Sequence, residues 1–128
     1  TPNTRAAHRL VAWVYGESGW QAQHALVESL FQAYFCLGRD VGDTEVLYEL
    51  AKPYGLDQST KGSVLTGEGD LGAVLDEELD SQLERSLELG VSGVPGFVMG
   101  GGYLLPGAQS VETMRAIIQR AKTKFSSV

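Results

Sequence analysis

The chain has 128 residues and a mass of 13.8 kDa, with 43% hydrophobic and 20% charged residues, a composition that excludes disordered and collagen-like classes and leaves an ordinary globular domain. A formal net charge of -6 and a pI near 4.8 exclude a nucleic-acid surface, because phosphate binding needs clustered Lys and Arg. Cys36 is the only cysteine, so the chain alone builds no intramolecular disulfide, Cys-x-x-Cys pair or cysteine zinc cluster.

In chain order, Asn3 or Thr4 caps a predicted helix through "TRAAHRLVAWVY", in which Ala7, Leu10, Val11 and Val14 share one buried face. "GESGW" breaks it. The run "QAQHALVESLFQAYFCLG" predicts a second helix whose buried face carries Leu26, Val27, Leu30, Phe31, Tyr34 and Phe35, with Gly38 just past its end. Asp43 and Glu45 open a third over "TEVLYELAKPYG", and Pro53 sits in its last turn or beyond. Asp57 caps a short helix over "QSTKGSVL". "DLGAVLDEELDSQLERSLELG" repeats Leu or Val at 71, 75, 79, 83 and 87 with acids between, and Gly90 stops it. The period then changes. "GFVMG" and "YLLPG", separated by Gly100, Gly101 and Gly102, predict a hairpin. Ser110 caps a last helix over "VETMRAIIQRAKTKF". A lone two-stranded hairpin is marginal in water, so the pattern predicts covered strand faces.

Several motifs have plain structural readings. "GEGDLG", Gly67 to Gly72, matches the dinucleotide-binding pattern. However, Asp70 would put a carboxylate where a pyrophosphate should sit, so a loop with Asp70 as helix cap is favoured. His8, His24 and Cys36 stand at no compact metal-ligand spacing, and no metal site is expected. Cys36, within an aromatic stretch, is expected to pack in the core. Glu77 and Glu78 fall on a solvated helix face. In "SGVPGF" a cis bond before Pro95 would turn the backbone polar groups of Val94 outward to hold an extended peptide or a thiol compound. A trans proline opening an edge strand fits the same residues. No apolar run approaches the ~20 residues of a membrane span, and no basic-then-apolar leader opens the chain.

Together "PNTRAAHRL", "LFQAYFCLGRDVGD" and "LELGVSGVPGFVMGGGYLLPGAQSVE" resemble the DsbA-like thioredoxin family, in the FrnE-type branch that includes relatives of 2-hydroxychromene-2-carboxylate isomerase and kappa-class glutathione transferases. The resemblance implies an α/β fold class, mostly α by content. Residues 1–90 would be a helical insertion, residues 91–128 the C-terminal strand-strand-helix part of a thioredoxin-like domain, and the N-terminal strand-helix-strand would be missing. It further implies part of a thiol-disulfide oxidoreductase that binds substrate through Gly93, Val94, Pro95, Gln109, Asn3 and His8. The chain would carry no catalytic residue, because exchange needs an activated thiolate, usually with a resolving cysteine. The expected partner is a cysteine-containing peptide or protein. No cofactor is expected, except that a glutathione-dependent isomerase or transferase relative would take glutathione. That alternative is weakened because those relatives carry a Ser-Asp pair near the position of Gln109 and this chain does not. A third reading is a non-catalytic peptide-binding or self-associating module. A homodimer or a companion N-terminal segment, no nucleic acid, no membrane and a cytoplasmic location complete the expectation.

Overall fold

A computed structural model describes residues 3–90, 96–99 and 103–125, which fall into two compact units, Thr1–Ser81 and Gln82–Val128. The described residues form six α-helices: α1 (Arg5–Ser18), α2 (Trp20–Phe31), α3 (Thr44–Ala51), α4 (Gln58–Thr66), α5 (Gly69–Glu88) and α6 (Val111–Phe125). A π-helical segment, Gln32–Cys36, continues α2, and a short 3-10 turn, Lys52–Tyr54, comes after α3 and contains Pro53.

In the first unit α1 packs on α2, α3 and α4. Gly19, at φ +88, separates α1 from α2, as the "GESGW" break predicts. The predicted face of α1 is buried at Ala7, Leu10 and Val14, is half-buried at Val11, and gains Trp13. Leu26 and Leu30 of α2, Leu47 and Ala51 of α3, Leu56, Val64 and Leu65 of α4 and its approach, and Leu75 of α5 complete one apolar core. Two caps have local causes. The Asp43 carboxylate accepts from the Glu45 N–H at 2.9 Å. Asp57 and Thr60 form a reciprocal capping box at the start of α4. Hydrogen bonds from Ser59 and Thr60 hold the Asp57 carboxyl below the usual Asp range.

The end of α4 is closed by one side chain. Arg9, 9% exposed, donates from Nε to the Val64 carbonyl at 3.0 Å, from Nη2 to the Leu65 carbonyl at 2.9 Å and from Nη1 to Asp76 Oδ1 at 3.0 Å. The last carbonyls of a helix have no partner within it, so a planar guanidinium satisfies two of them and the negative end of the dipole together. Arg5 binds the same carboxylate and reaches Asp80 at 3.0 Å. The chain then turns into α5 at Gly67, whose φ of +76 favours glycine. Gly72 approaches this turn so closely that a Cβ there would lie 2.8 Å from the Gly67 Cα. Gly67 and Gly72 of "GEGDLG" thus serve a tight helix-to-helix corner. Asp70 lies in the first turn of α5, which begins at Gly69, and so is not its cap.

In the second unit β1 (Gly96–Met99) and β2 (Tyr103–Pro106) pair antiparallel, with Gly96 opposite Pro106 and Met99 opposite Tyr103. Ser110 Oγ accepts from the Thr113 N–H at 3.1 Å at the start of α6. The expected α/β class, with a thioredoxin-like strand-strand-helix half, is corrected. Among the described residues the only strands are these two four-residue segments, which pair with one another alone. Helices supply nearly all the rest, so the chain belongs to a helical class. The physical reason is the 3-4 apolar spacing that runs through residues 5–88 and leaves no further strand-forming run. Gly93, Val94 and Pro95, with the cis-proline reading, lie outside the described residues.

Replacing Arg9 with Ala should cost about 3 kcal/mol in urea unfolding, because it strands two buried carbonyls. Arg9→Lys should not restore stability, since one ammonium cannot fork to both; wild-type stability in the Lys variant would contradict the arrangement. The Arg9 hydrogen bond, aided by Arg5, holds the Asp76 carboxyl below its ordinary value. A depressed folded pKa contributes stability that is present above the unfolded value of about 3.9 and lost as pH falls through the folded one. Asp76→Asn should therefore flatten the acid limb of the stability profile. Gly72→Ala should lower stability by about 2 kcal/mol through overpacking against the turn, measured in the same way.

Candidate functional site

The first unit holds an open apolar groove of about 400 Å³. Its floor is core: Ala7 of α1, Leu30 of α2 and Val41 of the loop before α3 are buried, and Val11 and Val27 are half-buried. Its rim is exposed and comprises Thr4 and His8 at the start of α1, Phe31 at the end of α2, and Tyr34 and Phe35 in the π-helical segment. The rings form a cluster. Phe35 meets Tyr34 edge-on at 4.8 Å between centroids and lies 6.2 Å from Phe31, spacings of favourable aromatic pairs.

The aromatic rim follows from how little of α2 one stripe can bury. At 3.6 residues per turn Ala33, seven positions after Leu26, continues the row of Leu26 and Leu30 into the core, whereas Phe31 and Phe35 fall on the far side of the helix and Tyr34 at the edge. Phe31, Tyr34 and Phe35 are accordingly 56%, 40% and 73% exposed, and Ala33 is buried. At the end of the helix the winding changes: the Leu37 N–H bonds the Gln32 carbonyl, five residues back, at 3.1 Å. The widened turn carries Leu37, which regular winding would return to the core row, out to 69% exposure. This corrects two expectations: the predicted buried face ends at Leu30, and Cys36 is exposed rather than packed in the core.

The sequence-predicted site residues divide between the units. His8 stands on the groove rim. Asn3 precedes it and is engaged locally: its side-chain oxygen accepts from the Arg5 N–H at 3.0 Å. Its backbone also crowds Gly42, where a Cβ would lie 3.1 Å from the Asn3 carbonyl oxygen. Gln109 belongs to the second unit, where it borders a shallow depression on α6 with Met114, Arg115 and Ile118. Thr4, Phe31, Tyr34, Phe35 and Val41 escaped sequence reasoning as site residues. The one available signal was four large apolar side chains, Phe31, Tyr34, Phe35 and Leu37, within seven positions, more than one helical stripe can bury.

Among the described residues no Asp, Glu, Lys or Arg lines the groove. Its volume accommodates two or three apolar side chains, with polar fixing points only at Thr4, His8 and Tyr34. Such a site selects a neutral apolar occupant, since a charge placed there would lose water without gaining a partner. Among the described residues no cluster of His, Cys, Asp and Glu could hold a metal ion, and no helix is long and apolar enough to cross a membrane.

Exposure makes the site testable residue by residue. Phe35→Ala should change stability by less than about 0.5 kcal/mol, whereas Leu26→Ala, at a fully buried position, should cost about 3 kcal/mol. Cys36 should react with a chromogenic disulfide reagent in native buffer; a thiol that becomes reactive only in denaturant would contradict its exposed position.

No curated protein and no solved structure matches the chain. Residues 1–119 match the DSBA-like thioredoxin domain, a match that takes in α1 through most of α6 and so includes both the groove and the hairpin. The chain is a member of the DsbA-like thioredoxin domain family, a family of thiol-disulfide oxidoreductase type.

Proposed function

We propose that this chain is the substrate-binding side of a thiol-disulfide oxidoreductase of the FrnE type, which takes cysteine-containing polypeptides. The observation that carries the reading is the uncharged aromatic groove in a family member with a single cysteine. Exchange proceeds when a thiolate attacks a disulfide sulfur, forms a mixed disulfide and expels the second sulfur as a thiolate. A chain with one thiol cannot complete that cycle as a dithiol pair. The reactive pair is therefore supplied by polypeptide outside these 128 residues, and the present residues bind and orient.

In this account apolar side chains flanking the substrate cysteine lodge against Phe31, Tyr34 and Phe35, and His8 and Thr4 offer hydrogen bonds to the substrate backbone. Apolar burial contributes roughly 25 cal/mol per Å², enough for weak, readily reversible capture once the ordering costs are met. Weak capture suits an enzyme that must release its product. The missing Ser-Asp pair beside Gln109 argues against glutathione as the ligand.

The test uses a labelled peptide in which S-methylcysteine is flanked by Leu and Phe, with binding read by fluorescence polarisation. Binding should weaken by at least about tenfold in Phe35→Asp, which places a carboxylate against the apolar wall. The unmodified chain should not accelerate insulin reduction by dithiothreitol. Equal binding by Phe35→Asp, or a reduction rate abolished by Cys36→Ser, would overturn the proposal.

A further inference from the structure

His8 differs in chemistry from every other residue on the groove. Among the described residues it is the one lining side chain that can take a positive charge, and the Tyr34 phenol is the only other ionisable group there. It lies on the α1 side, one helical turn after Thr4, whereas Val27, Leu30 and Phe31 of α2 and Phe35 beyond it form an apolar wall. Its backbone N–H bonds the Thr4 carbonyl at 3.0 Å, but among the described residues its exposed imidazole has no hydrogen bond or ion pair. The charged groups of the surrounding elements are committed elsewhere. On α1, Arg5 binds Asp76 and Asp80, and Arg9 binds Asp76 and the end of α4. Glu49 of α3 holds Arg39, and Glu45 of α3 holds Lys61 of α4. In the loop before α3 the Asp40 carboxylate accepts from the Gly42 N–H, and Asp43 caps the helix through the Glu45 N–H. None of these groups lines the groove, nor do His24 and Glu28 of α2. A charge on His8 therefore finds no counter-ion on the groove.

Histidine is the side chain whose charge ordinarily changes between roughly pH 5 and pH 8. While the imidazole is neutral the groove carries no charge and suits an apolar segment. An imidazolium on its rim inverts that preference. An apolar occupant covering it removes its water and supplies no partner, whereas an occupant with a carboxylate on its α1 side supplies one. We propose that His8 sets the charge specificity of the groove, which takes neutral apolar segments when the imidazole is neutral and apolar segments flanked by an acidic residue when it is protonated. The proposal rests on the reading of the groove as the binding site for cysteine-containing polypeptides. The overall charge of -6 repels acidic polypeptides in general, so an attraction for them at lower pH arises locally, at His8.

Two labelled peptides with blocked termini test this by fluorescence polarisation: S-methylcysteine flanked by Leu and Phe, and the same peptide with an Asp next to the Leu. From about pH 8 to about pH 5.5, a range in which the Asp stays ionised, the neutral peptide should bind about fivefold more weakly and the acidic one about fivefold more tightly. His8→Gln, neutral throughout, should show no pH dependence with either peptide. His8→Lys, charged throughout, should favour the acidic peptide at both ends of the range. Both variants change an exposed side chain, and helical circular dichroism should be unchanged. His24→Gln should keep the parent's pH dependence. Binding and protonation are reciprocally linked, so the titration curve of the His8 ring protons, followed by magnetic resonance, should move to lower pH with the neutral peptide bound and to higher pH with the acidic one. Affinities that do not vary with pH, a dependence that survives in His8→Gln, or a ring titration unmoved by either peptide would each overturn the proposal and leave the groove reading standing. A neutral peptide that binds at neither pH would overturn both.

Discussion

The first unit depends on Arg9. One guanidinium, nearly withdrawn from water, closes the C-terminus of α4 through the Val64 and Leu65 carbonyls and holds the Asp76 carboxylate of α5. The first helix is thereby tied to the α4–α5 corner, 55 residues further along the chain, and no buried side-chain nitrogen or oxygen among the described residues lacks a partner. The arrangement also accounts for the sharp corner at Gly67, since α5 must turn back at once to bring Asp76 to Arg9. The groove stands on this frame: Ala7 and Val11 face it from the helix that Arg9 anchors.

Local signals in the sequence were legible where a side chain acts on its own neighbourhood. Asp43 and Asp57 cap the helices that their spacing announces, Gly19 breaks the chain where a helix must end, and Ser110 begins the last helix. Arg9 was not legible. In a helix whose apolar positions are already accounted for, an arginine resembles a surface residue. Its partners here are two backbone carbonyls and a carboxylate some 67 residues away, and main-chain partners leave no mark in the sequence.

The candidate site failed to show itself for a different reason. Taking Leu26, Val27, Leu30, Phe31, Tyr34 and Phe35 as one buried face spreads that face over half the circumference of the helix, and only the stripe of Leu26, Leu30 and Ala33 enters the core. Phe31, Tyr34 and Phe35 are left as an exposed aromatic rim, and Cys36, in the π-helical segment, is exposed beside them. His8, by contrast, was found because it comes just after a helix start in the segment that carries the family resemblance. The α/β class came from the family resemblance and not from the residues: the hairpin signal was correct, but among the described residues its two strands pair only with each other and do not make a sheet-based fold.

The central claim is that the groove, and not the lone thiol, is what this chain contributes to thiol-disulfide chemistry. The most direct measurement is an amide-resolved magnetic-resonance titration with the S-methylcysteine peptide. The account predicts that shifts concentrate at Thr4 to Val11 and Leu30 to Phe35, with the amides of α4 unmoved. Shifts confined to Cys36 and its immediate neighbours, or scattered over α3 and α4, would contradict it.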